Sequence, residues 1–152
     1  MTKFRKCAVI VLVKDGLAFA GERFDTNNAW QFPQGGVDKN ESYVQAAVRE
    51  LYEETGVLNA KFIKSTEKTY RYKFPKSVQG SILYKYGNLS YCGQQQVFCL
   101  FEFTGVDSEI NLHQKDQEFR NWKWMSVKEV ADNIVYFKKD SYARGLKELG
   151  LL

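Results

Sequence analysis

The chain has 152 residues, of which 44% are hydrophobic and 15% aromatic, so it can bury a core and is not a candidate for intrinsic disorder. Its net charge of +4 permits a polyanionic ligand without requiring one. No apolar run approaches the roughly 20 residues that a membrane-spanning helix needs, and no cleavage-like site follows the basic first residues. These features predict a single domain over residues 1–152, without a membrane segment or a signal peptide.

The first strands are predicted from apolar runs and turn residues. An apolar, β-branched segment at residues 4–13 predicts a strand, and residues 14–16 (KDG) predict a tight turn into a return strand at residues 17–23. Residues 30–32 predict a short strand that ends at Pro33. A loop is expected over residues 34–40, where Gly35 and Gly36 would allow unusual backbone angles.

Residues 42–55 change to the periodicity of a helix. Ser42, with Gln45 three residues later, predicts a capping box, and Gly56 is placed to end the helix. The helix face expected to pack on a sheet contains Val44, Ala47, Val48, Leu51 and Thr55.

The second half of the chain predicts further strands and two helices. One long strand or two are expected over residues 59–74, a long loop over residues 75–94, and strands at residues 96–103 and 119–125. Ser126 and Glu129 predict a second helix start, and a last helix is expected at residues 140–149. This order predicts an α/β fold in which a mixed β-sheet lies between helices.

Cysteine and histidine usage restricts the kinds of site. Cys7, Cys92 and Cys99 have no paired spacing, which argues against a disulfide framework or a zinc site. His113 has no sequence neighbour that suggests metal or triad chemistry. A reducing cytoplasm is therefore the expected location.

Three carboxylates share one side of the first predicted helix. At about 100° per residue, Glu50, Glu53 and Glu54 occupy one arc beside the apolar face. An acidic string on a helix is more often a solvated face, since like charges at these spacings repel. Hard oxygen ligands are also what Mg²⁺ prefers, and a bound ion would reverse that repulsion.

The residues on both sides of the three glutamates favour the metal-binding interpretation. The pattern G-x5-E-x7-R-E-U-x-E-E-x-G-U, in which U is aliphatic, is matched at every fixed position. The matching residues are Gly35, Glu41, Arg49, Glu50, Leu51, Glu53, Glu54, Gly56 and Val57. This segment resembles the Nudix box of the Nudix hydrolases. The resemblance implies the Nudix fold and the cleavage of phosphoanhydride bonds.

The resemblance also implies residue roles. Glu50, Glu53, Glu54 and the Gly35 carbonyl would bind Mg²⁺ or Mn²⁺, which neutralises phosphate charge and lowers the pKa of an attacking water. Glu41 and Arg49 would be structural and would tie the loop to the helix.

Segments outside the box resemble one subfamily, the bacterial RNA pyrophosphohydrolases and the related asymmetric dinucleoside tetraphosphatases. By that resemblance Glu118 is a fourth metal-binding and catalytic carboxylate, and either Glu50 or Glu118 is the general base. The expected substrate contacts are Arg5, Arg23 and Lys138 to phosphates, with Arg5 and Phe137 beside a base. The matching segments are residues 30–36, 72–76, 93–96, 117–124 and 137–142, with Arg5 and Arg23.

The expected reaction is conversion of a 5′-triphosphate on RNA to a 5′-monophosphate by metal-assisted attack of water. The partner is then an RNA 5′ end, or a dinucleoside polyphosphate if the chain is an asymmetric dinucleoside tetraphosphate hydrolase. A third alternative, from a different class, is a catalytically silent RNA- or nucleotide-binding module. Such modules typically lose box glutamates, and here the box glutamates are all present.

Overall fold

The computed structural model describes residues 3–78, 91–114 and 116–152. The strands in these ranges are β1 (Lys3–Lys14), β2 (Leu17–Arg23), β3 (Trp30–Gln31), β4 (Gln34–Gly36), β5 (Ala60–Ser65), β6 (Tyr70–Lys73), β7 (Tyr91–Phe103) and β8 (Phe119–Met125). The helices that shape the site are α1 (Tyr43–Thr55), α2 (Val127–Asn133) and α3 (Lys139–Glu148). In the described ranges no helix is long and apolar enough to cross a membrane.

The sheet is mixed, as predicted. β1 runs parallel to β7 along almost its whole length, whereas the other strand pairs are antiparallel. β1 and β2 form the predicted hairpin, and Asp15 and Gly16 both have positive φ, at 51° and 79°. After two residue pairs the hairpin opens, and β4 takes the edge of β1 at residues 7–9.

Alternating residues of β1 bury themselves on opposite faces of the sheet. Ala8 and Ile10 belong to one apolar cluster, which includes Leu51 of α1. Cys7 and Val9 belong to a second cluster, which includes Leu146 of α3. Helices therefore cover both faces, which confirms the predicted arrangement of a sheet between helices.

Two predicted loops are partly strands. Residues 34–36 pair with β1, and residues 91–94 are the first part of β7, because both segments find a backbone partner in a distant strand. Residues 79–90 of the predicted loop lie outside the described residues. The segment at residues 59–74 forms two strands, and the strands expected at residues 96–103 and 119–125 are confirmed within β7 and β8.

Helix α1 begins and ends as predicted. Gln45 N donates to Ser42 Oγ at 3.1 Å, Ser42 N donates to Gln45 Oε1 at 2.8 Å, and Gly56 has the left-handed φ of 74°. The predicted packing face was partly wrong, because Val48 is 50% exposed whereas Ala46 is buried. The later helices also follow the prediction, and Ser126 caps α2.

The prediction of unusual backbone angles at Gly35 and Gly36 was wrong. Among the described glycines, only 16, 56 and 150 have positive φ. The two glycines are needed for a different reason. A Cβ atom on Gly35 would overlap the Glu50 carboxyl group, and one on Gly36 would overlap the Arg5 guanidinium. A side chain at either position would therefore displace Glu50 or Arg5 from its place beside this strand.

Candidate active site

A cleft of about 490 Å³ lies beside the first residues of β1, where α1, β4 and β7 meet the segment before β8. One group of lining residues carries carboxylates, namely Glu50, Glu53, Glu54, Asp116 and Glu118. A second group carries hydrogen-bond donors, namely Arg5, Gln34, Tyr52, Gln94 and Gln114. This composition suits a ligand that presents many oxygen acceptors together with hard cations.

Helix α1 supplies three of the carboxylates, which we call the carboxylate wall: Glu50, Glu53 and Glu54. Their exposure differs, since Glu54 is only 5% exposed, whereas the side chains of Glu50 and Glu53 are 16% and 53% exposed. Burial raises the pKa of the Glu50 carboxyl above its ordinary value, although Arg49 acts in the opposite direction.

Arg49 connects α1 to the loop that precedes it. Its Nε and Nη2 donate to the two oxygens of Glu41, both at 2.9 Å, and Nη2 also donates to Gly36 O at 2.8 Å. Its Nη1 donates to Glu50 Oε1 at 2.7 Å and to Glu53 Oε2 at 3.2 Å. The hydrogen bonds from Arg49 lower the pKa of Glu41 to about 2. The geometry supports the structural role expected of Glu41 and Arg49.

The residues predicted to bind a metal ion share this cleft. Gly35, Glu118 and the three residues of the carboxylate wall all line it. In the described part of the chain, however, no group of three acidic, histidine or cysteine side chains is arranged to hold an ion. Arg49 Nη1 holds one oxygen each of Glu50 and Glu53. Metal binding by these residues stays a prediction.

Of the residues predicted to contact substrate, only one lines the cleft. Arg5 lines the cleft, but Arg23, Phe137 and Lys138 are not among the lining residues. Arg23 Nη2 pairs with Asp25 Oδ2 at 2.8 Å, and the Phe137 ring lies 5.7 Å from the Tyr72 ring.

Lys138 is 5% exposed, and its Nζ donates to Gln31 Oε1 at 3.3 Å. The roles of Arg23, Phe137 and Lys138 in substrate binding stay predictions.

Sequence reasoning missed several lining residues with polar side chains, among them Gln34, Gln94, Gln114 and Asp116. Asp116 lies two residues before Glu118, and that acidic spacing was the one signal available for it. Gln34 and Gln94 lie on β4 and β7. They come together only through strand pairing with β1, so no local spacing indicates that they share a site.

The chain is similar in sequence to one protein family and to bacterial proteins that share one name. A family profile of the NUDIX domain matches residues 3–145. A Sphingopyxis alaskensis protein named RNA pyrophosphohydrolase is 40% identical over 153 residues, which is 98% of this chain and 94% of that protein. One of the same name from Pelagibacter ubique is 42% identical over 135 residues, or 88% and 83% of the two chains.

Solved structures with low sequence identity share the fold. The structure of the E. coli dihydroneopterin triphosphate pyrophosphohydrolase is 15% identical and superposes with a TM-score of 0.71. The superposition covers 93% of this chain and 95% of that one.

Proposed function

The chain belongs to the NUDIX family, and from this premise we propose that it hydrolyses the 5′-triphosphate of RNA and leaves a 5′-monophosphate. The observation that carries the proposal is the near full-length similarity to bacterial proteins named RNA pyrophosphohydrolase, at 40% and 42% identity. The cleft supports it, because carboxylates and hydrogen-bond donors line it together. The proposed location is the reducing cytoplasm, where free thiols such as those of this chain persist.

The donor set of the cleft fits Mg²⁺ or Mn²⁺. Carboxylate oxygens of the carboxylate wall and Glu118, with the Gly35 carbonyl, are hard oxygen donors of the kind these ions prefer. A bound ion would neutralise phosphate charge and lower the pKa of water. Arg49 Nη1 engages only one oxygen each of Glu50 and Glu53, so the second oxygen of each carboxylate could coordinate an ion while these bonds persist. The bonds to Glu41 use other nitrogens, Nε and Nη2, so the loop would stay tied to α1.

Other side chains that line the cleft would accept the proton of the attacking water and balance the charge of the phosphates. Glu50 is partly buried and lines the cleft, which places its carboxylate where it can accept a proton from the attacking water. Glu118 is the alternative base, and both line the cleft. Arg5 places a positive charge beside the same space and would balance negative charge on the phosphate chain.

The proposal is tested by a side-by-side hydrolysis assay with Mg²⁺. The substrates are a short 5′-triphosphorylated RNA and diadenosine tetraphosphate, and Glu53→Gln is the inactive control. Faster turnover of the RNA, with a 5′-monophosphate product, supports the proposal. A clear preference for the dinucleotide, with ATP as one product, identifies an asymmetric dinucleoside tetraphosphate hydrolase instead. A folded protein that binds RNA but cleaves neither substrate is a silent binding module.

A further inference from the structure

We propose that Gln34 and Gln94 form an amide wall that donates hydrogen bonds to nonbridging oxygens of the substrate's phosphate chain. This inference deepens the proposed function and rests on it for the identity of the substrate. Both glutamines line the cleft that contains the carboxylate wall. In both, the carbonyl oxygen of the side chain is engaged by a buried or nearly buried donor, so the amino group is the part that faces the cleft.

Gln94 is held by Tyr72. The two residues are direct cross-strand partners on β7 and β6, and Arg5 of β1 is the partner of Gln94 on its other side. Tyr72 Oη donates to Gln94 Oε1 at 2.6 Å. Within the described residues Gln94 Nε2 donates no hydrogen bond, and it is not among the buried atoms that lack one. The amino group is therefore accessible, and the cleft is the space that Gln94 lines.

Gln34 is held through a chain of bonds that starts on α3. Ser141 Oγ donates to Gln96 Oε1 at 2.6 Å, and both residues are fully buried. Because its oxygen is engaged by the serine, Gln96 presents its amino group to Gln34, and Nε2 donates to Gln34 Oε1 at 3.4 Å. This polarity leaves the amino group of Gln34 directed away from Gln96. Gln96 and Ser141 are thus positioning residues for a side chain that lines the cleft.

Neutral donors suit this position for an electrostatic reason. A lysine or arginine at these two positions would add cations beside Arg5 that compete with metal ions for the carboxylate wall, where Arg49 already pairs with Glu50 and Glu53. A primary amide donates hydrogen bonds without forming ion pairs, so it leaves the carboxylates free for cations. Phosphate oxygens only accept hydrogen bonds, and the amide wall offers donors to them beside the charge of Arg5.

The test compares two isosteric changes at neighbouring positions of β7. Gln94→Glu keeps an acceptor for Tyr72 but replaces the cleft donor by a negative oxygen. Gln95→Glu makes the same change one residue along, on the opposite face, where Gln95 contacts Arg71 and Tyr43 instead of the cleft. Affinity for inorganic tripolyphosphate is measured by calorimetry with Ca²⁺, and KM and kcat are measured with 5′-triphosphorylated RNA and Mg²⁺.

We expect Gln94→Glu to weaken tripolyphosphate binding and to raise KM by about tenfold or more, because one hydrogen bond to a charged group is lost and repulsion is added. Gln95→Glu should match the wild type in both. Equal affinities for the two variants, or no binding of tripolyphosphate by the wild type, overturn the inference. If the wild type cleaves no RNA but tripolyphosphate binding still separates the pair, the proposed function fails and the amide wall stands.

A second variant tests the positioning chain without touching the cleft. Gln96→Glu can still accept from Ser141 but cannot donate to Gln34 Oε1, so the Gln34 amide should turn its oxygen toward the cleft. We expect KM to rise about threefold or more with a smaller change in kcat. Ser141→Ala, which removes only the first bond of the chain, should show a weaker effect in the same direction. An unchanged KM in a folded Gln96→Glu protein contradicts the assigned role of Gln96.

Discussion

The two walls of the cleft are held in place by different interactions. The carboxylate wall stands on one helix, and two of its three side chains, Glu50 and Glu53, accept hydrogen bonds from the guanidinium of Arg49. The amide wall stands on two strands and is held by hydrogen bonds between neutral groups, at Tyr72 on β6, Gln96 on β7 and Ser141 on α3. The arrangement of the carboxylate wall depends on charge and should change with pH and with bound metal ions. The arrangement of the amide wall depends on buried hydrogen bonds and should change mainly when a substitution alters side-chain shape or exchanges a donor for an acceptor.

The largest effect is expected from the carboxylate wall. Glu53→Gln removes one charge from a side chain that is half exposed, so the fold should be retained. Loss of a metal ligand costs several kcal/mol of transition-state stabilisation, and we expect kcat to fall on the order of 10³-fold.

The control for that prediction is Glu102→Gln on the exposed side of β7, far along the strand from the cleft residues. Steady-state hydrolysis of 5′-triphosphorylated RNA measures both proteins. A Glu53→Gln enzyme that keeps wild-type kcat would remove the carboxylate wall from the mechanism.

An intermediate effect is expected at Arg49. Arg49→Lys keeps the charge but loses the paired bonds from Nε and Nη2 to Glu41. Because groups that orient metal ligands typically contribute 10- to 100-fold, we expect activity to fall by about that factor and Tm to decrease. Lys128→Gln breaks an exposed ion pair on α2 and should change neither quantity measurably. Equal Tm values for the two variants would contradict the structural role of Arg49.

The smallest effect is a change in the pH dependence of stability. Arg49 lowers the pKa of Glu41 from 4.5 to about 2, so the ionised carboxylate stabilises the folded state above pH 4.5. That contribution is lost as the pH falls from about 4.5 to about 2, where Glu41 becomes protonated. The free energy of unfolding of Glu41→Gln should therefore fall less steeply with acid over this interval than that of the wild type. Urea unfolding at several pH values measures this free energy for both proteins. Parallel plots of the free energy of unfolding against pH would exclude the predicted link between Glu41 ionisation and stability.

The difference between the walls also explains what the sequence could predict. The spacing of Glu50, Glu53 and Glu54 lies within one helix, whose start and end are signalled by Ser42 and Gly56. Helical periodicity alone is therefore enough to place that part of the site on one arc. Local sequence gives no such signal for the strand at residues 34–36 or for the start of β7, because both exist through pairing with β1.

The amide wall was missed for the same physical reason. Gln96 and Ser141 are 45 residues apart in sequence and meet only when α3 packs on the sheet. A glutamine in a strand looks like an ordinary surface residue until its neighbours are known. Lys138 also shows the limit of local sequence. It was expected to contact phosphate, and the structure places it buried beside Gln31, so that contact stays a prediction.

The most direct test of the account is detection of the product formed at the RNA 5′ end. Wild-type protein and Glu53→Gln are incubated with 5′-triphosphorylated RNA in Mg²⁺, with and without chelator, and the 5′ ends are resolved by chromatography. The account predicts a 5′-monophosphate RNA that appears only with wild-type protein and free Mg²⁺. A triphosphate that stays intact with the folded wild-type protein, or a product that forms equally well in chelator or with Glu53→Gln, would contradict it.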